Sequence, residues 1–201
     1  MNLIVKKLWP LFFFILLLSG CGNINMRKIS VDPKISTITT KKSLLKAGLV
    51  LDEKLTSYKY SFKTGPQIFL LANVKGEIEV GKNLSQAIYG IVSSKFGNVA
   101  VTRDIKELND VDTYFVPRIN YFEYSPPFTG YNSHTAEVEL ETEVFRGDGR
   151  RLKSFVIKQK GSRSMLNQIL METNYEMAQY SVNEAIDNLL KDFARKLDDI
   201  Y

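Results

Sequence analysis

Ala136-Glu137-Val138-Glu139-Leu140-Glu141-Thr142-Glu143-Val144, closed by Gly147-Asp148-Gly149-Arg150, is the stretch that decides the fold. Its apolar and acidic residues alternate strictly. A two-residue period puts all the apolar side chains on one face of a strand and all the glutamates on the other. One face must be dry and the other wet. Asp148-Gly149 is a preferred dipeptide for a tight hairpin turn, and a type I′ turn there needs positive φ at both positions. Folding the chain at that point sets Glu139 opposite Lys158, Glu137 opposite Lys160, Leu140 opposite Ile157 and Thr142 opposite Phe155. Turn chemistry and cross-strand charge pairing select this register independently. Only Val144 opposite Lys153 is a poor match, close enough to the turn for a lysine to reach water.

A dry hairpin face needs a cover, and the flanking sequence offers two. Gly81 to Phe96 carries Leu84, Ala87, Ile88, Ile91, Val92 and Phe96 at three- and four-residue steps, one apolar helical stripe. Gly97-Asn98 is the natural stop for that helix. Thr173 to Ile200 repeats the pattern over several turns through Tyr175, Ala178, Val182, Ile186, Leu189, Phe193 and Leu197. Further strands are expected at Ala47–Leu51 and Tyr58–Lys63, the two forming a hairpin, and at Val99–Thr102 and Asp112–Tyr124. Pro117 has no N–H for a ladder, so it implies an edge or a bulge in the long strand. The expected fold is α+β: a mostly antiparallel sheet with two helices packed on one face.

The N-terminus carries a different kind of signal. Lys6-Lys7 precede a wholly apolar run from Leu8 to Leu18, followed by Ser19-Gly20-Cys21. A membrane-spanning helix needs roughly 20 apolar residues, and this run is about half that. A positive start, a short apolar core and small residues before the cut describe a secretory signal. Leu18-Ser19-Gly20-Cys21 resembles a bacterial lipobox, which implies cleavage before Cys21, lipid attachment there and anchoring through acyl chains. Gly22 in place of Asp then leans towards the outer membrane of a Gram-negative host. The expected organisation is a signal peptide at 1–20, an acylated N-terminus and flexible tether at 21–42, and a single domain at 43–201.

Chemistry is scarce along the rest of the chain. The 201 residues contain one histidine, His134, and one cysteine. That excludes a disulfide within the chain, His-rich metal sites and a histidine–cysteine pair built on further copies of either. His134 has no Gly-x-Ser-x-Gly nucleophile elbow to serve. Gly147-Asp148-Gly149-Arg150 lacks the length and the lysine of a phosphate loop. Glutamates facing lysines on a wet sheet remain ordinary ions rather than acid–base catalysts. No catalytic residue, metal ligand or cofactor is expected. The net charge of +5 includes Lys6 and Lys7 of the leader, and mixed signs elsewhere argue against a nucleic-acid partner. Two surface features remain. Phe122, Tyr124, Phe128 and Tyr131 surround Pro126-Pro127 and form a candidate partner-binding loop. The second hairpin strand is basic, through Arg150, Arg151, Lys153, Lys158, Lys160 and Arg163.

The order of strands, helix, strand, long strand, hairpin and terminal helix, together with the lipobox, is similar to small outer-membrane lipoproteins of the LptE and YajG kind. The similarity covers roughly Ala47 to Leu197. It rests on the Ala47-Gly48-Leu49-Val50-Leu51 strand, Gly81 to Phe96, Asp110-Val111-Asp112 and the Glu-rich hairpin. It implies a non-catalytic accessory component of the envelope that binds a protein partner or envelope lipid. The alternative expectation is a transport auxiliary holding lipid or another apolar molecule in an internal cavity.

Overall fold

The computed structural model describes residues 23–25, 28–34, 42–63, 73–127, 133–164 and 174–200. In chain order the elements are β1 (Asn23–Asn25), β2 (Ile29–Ser30), β3 (Ser43–Val50), α1 (Glu53–Thr56), β4 (Lys59–Lys63), β5 (Asn73–Glu79), α2 (Gly81–Lys95), β6 (Phe96–Thr102), β7 (Thr113–Ser125), β8 (Ser133–Arg146), β9 (Arg151–Ser164) and α3 (Asn174–Asp198). They make two sheets. The larger runs β6-β3-β7-β8-β9, and in the smaller β5 pairs with β1, β2 and β4.

The hairpin of β8 and β9 has the expected register, including Glu139 opposite Lys158, Leu140 opposite Ile157 and Val144 opposite Lys153. Its turn differs from the expected type I′. Only Gly149 takes positive φ, at 88°, and Asp148 does not. The N–H of Gly149 donates to the Arg146 carbonyl and that of Arg146 to the Arg150 carbonyl, both at 2.9 Å. A turn that places its one glycine in the left-handed region spares Asp148 a strained backbone. The extra residue reappears as a shift between Val144 and Phe145.

The α+β class holds, but the larger sheet is mixed: β3 pairs in parallel with both β6 and β7. The expected hairpin of the first two strands does not form, because β3 joins the larger sheet and β4 the smaller. The short α1 separates them, its first turn capped by the Asp52 carboxylate accepting from the Leu55 N–H at 2.8 Å. Nor does Gly97 stop α2. Helix passes directly into strand at Phe96, which has extended geometry and is buried against Phe115 at 5.5 Å between rings. That burial draws the chain into the sheet before Gly97 is reached.

β7 explains Pro117. The ladder with β3 covers only Thr113 to Phe115, so at Pro117 the strand has a neighbour on one side alone, where it faces Thr142. Three residues later the register slips between Ile119 and Tyr121, leaving Asn120 as an extra residue. This bulge reverses the alternation. Phe122 and Tyr124 turn inward opposite Val138 and Ala136, and Tyr121 turns out.

The core lies between the inner faces of both sheets and the two long helices. Val138, Leu140 and Val144 of β8 are fully buried with Val182, Ala185, Ile186 and Leu189 of α3. The closest approach is at Gly161, where a Cβ would lie 2.0 Å from the Ser181 carbonyl oxygen and 2.6 Å from the Ala185 nitrogen. The small sheet packs edge-on rings against the large one, Tyr60 on Phe122 at 5.3 Å and Phe62 on Tyr124 at 4.8 Å. On the opposite face of the large sheet, Val50, Tyr114 and Val116 form a second buried cluster beneath Leu108 and Val111.

Of the segment expected to run free as a tether, the described residues 23–25 and 28–34 pack into the domain. β1 and β2 pair with β5, and Ile29 and Val31 are fully buried. The Asp32 and Lys34 N–H groups each donate at 2.9 Å to α3, to Asn183 and to Asp187. The Asn83 amide of α2 donates to the Val31 carbonyl. Apolar residues at 29 and 31 have the strand period, but a two-residue strand is too short to stand out in a polar stretch.

Candidate functional site

The four aromatics of the expected binding loop do not share one environment. Phe122 and Tyr124 are core residues, turned inward by the Asn120 bulge and enclosed by the small sheet. This corrects the expectation of a loop presenting both to a partner. Phe128 and Tyr131 lie outside the described residues, as does Cys21 with the leader. His134 is buried, and its Nδ1 meets the Tyr124 hydroxyl at 2.6 Å. Burial lowers its pKa to about 4, against a smaller opposing effect from the Asn174 side chain. It is therefore a neutral imidazole at pH 7. Burial also raises the Tyr124 phenol well above its usual range. A neutral pair sealed within the fold holds strand ends and helix start together and offers no proton to solvent.

The wet face of the hairpin is a lattice of ion pairs. Glu143 lies between Arg118 at 3.0 Å and Arg151 at 3.4 Å, and Lys158 reaches Glu137 at 2.6 Å. The Asn120 amide donates at 3.3 Å to both Glu139 and Glu141. The bulge residue thus supplies the donor that two neighbouring carboxylates need. Tyr121, turned outward, donates to Glu123, which pushes its pKa up to about 12. Every glutamate of the ladder is engaged, so this face stabilises the sheet and leaves no free carboxylate pair. Among the described residues, no group of three or more His, Cys, Asp or Glu side chains could hold a metal ion.

The open feature is the outer edge of β9. The Ser162 N–H points away from β8 and donates to the Glu184 carboxylate of α3 at 2.7 Å. In a strand, every second residue points the same way. With the register continuous from Lys153 to Ser164, the backbones of Lys160, Lys158 and Val156 therefore also face outward. No strand lies opposite them among the described residues. Helix α3 packs on β9 most closely at Gly161 and stays in contact further along through Phe155 and Phe193, whose rings lie 6.1 Å apart. Between helix and strand opens a groove of about 570 Å³, lined by Val156, Ile157 and Lys158 of the strand and Asp192, Arg195, Lys196, Asp198 and Asp199 at the helix end. Val156 is 52% exposed and Leu152 44%. Sequence reading identified the basic strand but not that it borders the sheet. Edge position is set by which strand fails to find a partner, and no single strand encodes that.

No family model matches the chain, and no curated protein matches it in sequence. Solved structures do resemble it. A Xanthomonas campestris protein described as a DUF330 family member has a TM-score of 0.54 at 12% identity, covering 87% of this chain and 99% of that one. A minor lipoprotein from Acinetobacter baumannii has a TM-score of 0.45 at 10% identity, over 79% of this chain and 94% of that one. The first of these establishes a shared fold.

Proposed function

We propose that this chain is a lipid-anchored accessory protein of the bacterial envelope. It is non-catalytic, is held at the outer membrane through acyl chains on Cys21, and grips an extended segment of a protein partner along β9. The lipobox at Leu18 to Cys21 supports the anchor, and an accessory role accords with the similarity to LptE- and YajG-like lipoproteins. The observation that carries the binding role is the outer edge of β9, which has no neighbouring strand among the described residues and lies beside a groove. A strand added there gains main-chain hydrogen bonds from the edge, while the groove selects its side chains. The exposed cations Arg151, Lys153 and Lys160 guard the edge against pairing with itself and favour an acidic partner segment. The alternative role as a carrier of apolar cargo needs an apolar cavity. The interface of sheet and helices is filled by fully buried side chains, and the β9 groove is lined mainly by charge.

The test places a photo-crosslinking residue at Leu152 in intact cells and adds Val156→Pro to the same chain. Proline removes one outward N–H from an edge strand, where folding tolerates it. The expected result is loss of the partner adduct while the thermal midpoint moves by no more than about 3 °C, the effect of roughly 1 kcal/mol in a chain of this size. An adduct that survives Val156→Pro retires the edge as the docking site.

A further inference from the structure

The solvent face of the small sheet carries charges sorted along its length. β5 contributes Lys75, Glu77 and Glu79, and β4 contributes Lys59, Ser61 and Lys63, with Lys59 opposite Glu79 and Lys63 opposite Lys75. At one end the charges satisfy each other. Lys28 approaches Glu79 at 2.5 Å and Glu77 at 3.5 Å, and Lys59 approaches the same carboxylates at 3.1 and 3.5 Å. At the other end Lys63 and Lys75 are exposed and directly opposed, with no carboxylate within ion-pair distance among the described residues. Like charges in that position destabilise a sheet. A negative surface brought against this end would relieve that repulsion.

The chain enters at that same end. β1 runs parallel to β5, with Asn23 opposite Asn73 and Asn25 opposite Lys75. Asn23 is only two residues beyond Cys21, a span of about 7 Å at full extension. An acylated Cys21 therefore cannot let the domain swing free. It brings the start of β5 to the lipid surface, within reach of flexible lysine side chains.

We propose that Lys63 and Lys75 seat this end of the small sheet on anionic phospholipid, whose phosphates supply the missing counter-charge. The inference rests on the reading of Cys21 as the acylated residue. It adds that the domain has one fixed face towards the membrane, with the Lys28–Glu77–Glu79–Lys59 cluster at the far end of the ladder. Two lysines near an anionic leaflet together favour the docked orientation by about thirtyfold.

The experiment uses the full acylated chain in vesicles of phosphatidylethanolamine and phosphatidylglycerol containing a headgroup quencher. Acylation occupies Cys21, so an introduced cysteine is the only free thiol. A fluorophore at Asn73→Cys is expected to lose its emission, while one at Lys82→Cys, beyond the far end of β5, keeps it. Adding Lys63→Gln and Lys75→Gln, or replacing the lipid with phosphatidylcholine, leaves position 73 near the short anchor but is expected to narrow the difference in quenching between 73 and 82, because the domain then tilts freely about Cys21. Equal quenching at 73 and 82 in the unaltered chain overturns the inference, and so does a difference between them that is unchanged without the lysines. Acyl labelling is read on the same protein. Failure of Cys21 to take label refutes the anchor itself, a result distinct from an anchored domain that does not dock.

Discussion

Among single residues, Gly161 and His134 show how narrowly the interior is specified. Gly161 has no side chain because backbone atoms of α3 occupy the place of its Cβ, so even alanine there must push the helix off the sheet. His134 is held neutral by burial, and the sign of its pH dependence follows. Its pKa is about 4 in the fold and about 6.5 in the unfolded chain, so between those values the unfolded chain binds the extra proton. The stability it contributes is complete above about pH 6.5 and is lost as pH falls towards 4. Allowing for partial solvent screening, the loss is expected to be about 2 kcal/mol. Urea midpoints near neutral and near acid pH check this: His134→Gln should flatten that part of the dependence, and an unchanged slope would place the effect elsewhere.

At the scale of the element, the hairpin and β7 make opposite cases. The hairpin register was legible because everything that sets it is local: alternation in β8, lysines opposite glutamates and a glycine turn. The inward turn of Phe122 and Tyr124 was not, because it depends on Asn120 being squeezed out of a ladder whose other half lies about twenty residues away. Without the bulge, simple alternation groups Ile119 with Tyr121 and sends Phe122 outward. Deleting Asn120 removes the extra residue and leaves a regular ladder with Phe122 still opposite Val138 and Tyr124 still opposite Ala136, so both rings stay packed on Tyr60 and Phe62 and the cost is that of the amide bonds to Glu139 and Glu141, about 1 kcal/mol. A small fall in the urea midpoint with near-ultraviolet dichroism retained is the expected signature. Loss of that dichroism would show that the extra residue itself, and not the pairing with β8, holds the rings inward. Parallel pairing of β3 with β6 and β7 was hidden for a related reason, since parallel partners need long crossovers that leave no turn motif behind.

For the whole molecule, the decisive departure from sequence reading is the N-terminal segment. Ile29 and Val31 are fully buried, and the next residues are fastened to α3 across 151 and 153 positions of sequence. A chain shortened to begin at Ser43, the boundary suggested by composition, should be less stable by about 4 kcal/mol, from two buried aliphatic side chains at roughly 2 kcal/mol each. Thermal unfolding of the shortened and full forms makes the comparison, and equal midpoints would mean the segment merely decorates the surface. The same fastening bears on the order of events during export. Contacts between the two ends of a chain form late, because the loop they close is the largest available. A polypeptide threaded through a membrane N-terminus first carries Cys21 out long before α3 emerges to lock residues 32 and 34 in place. On the proposed route, lipid attachment therefore acts on a loose leading end, and the domain closes down onto its anchor only when the last helix arrives.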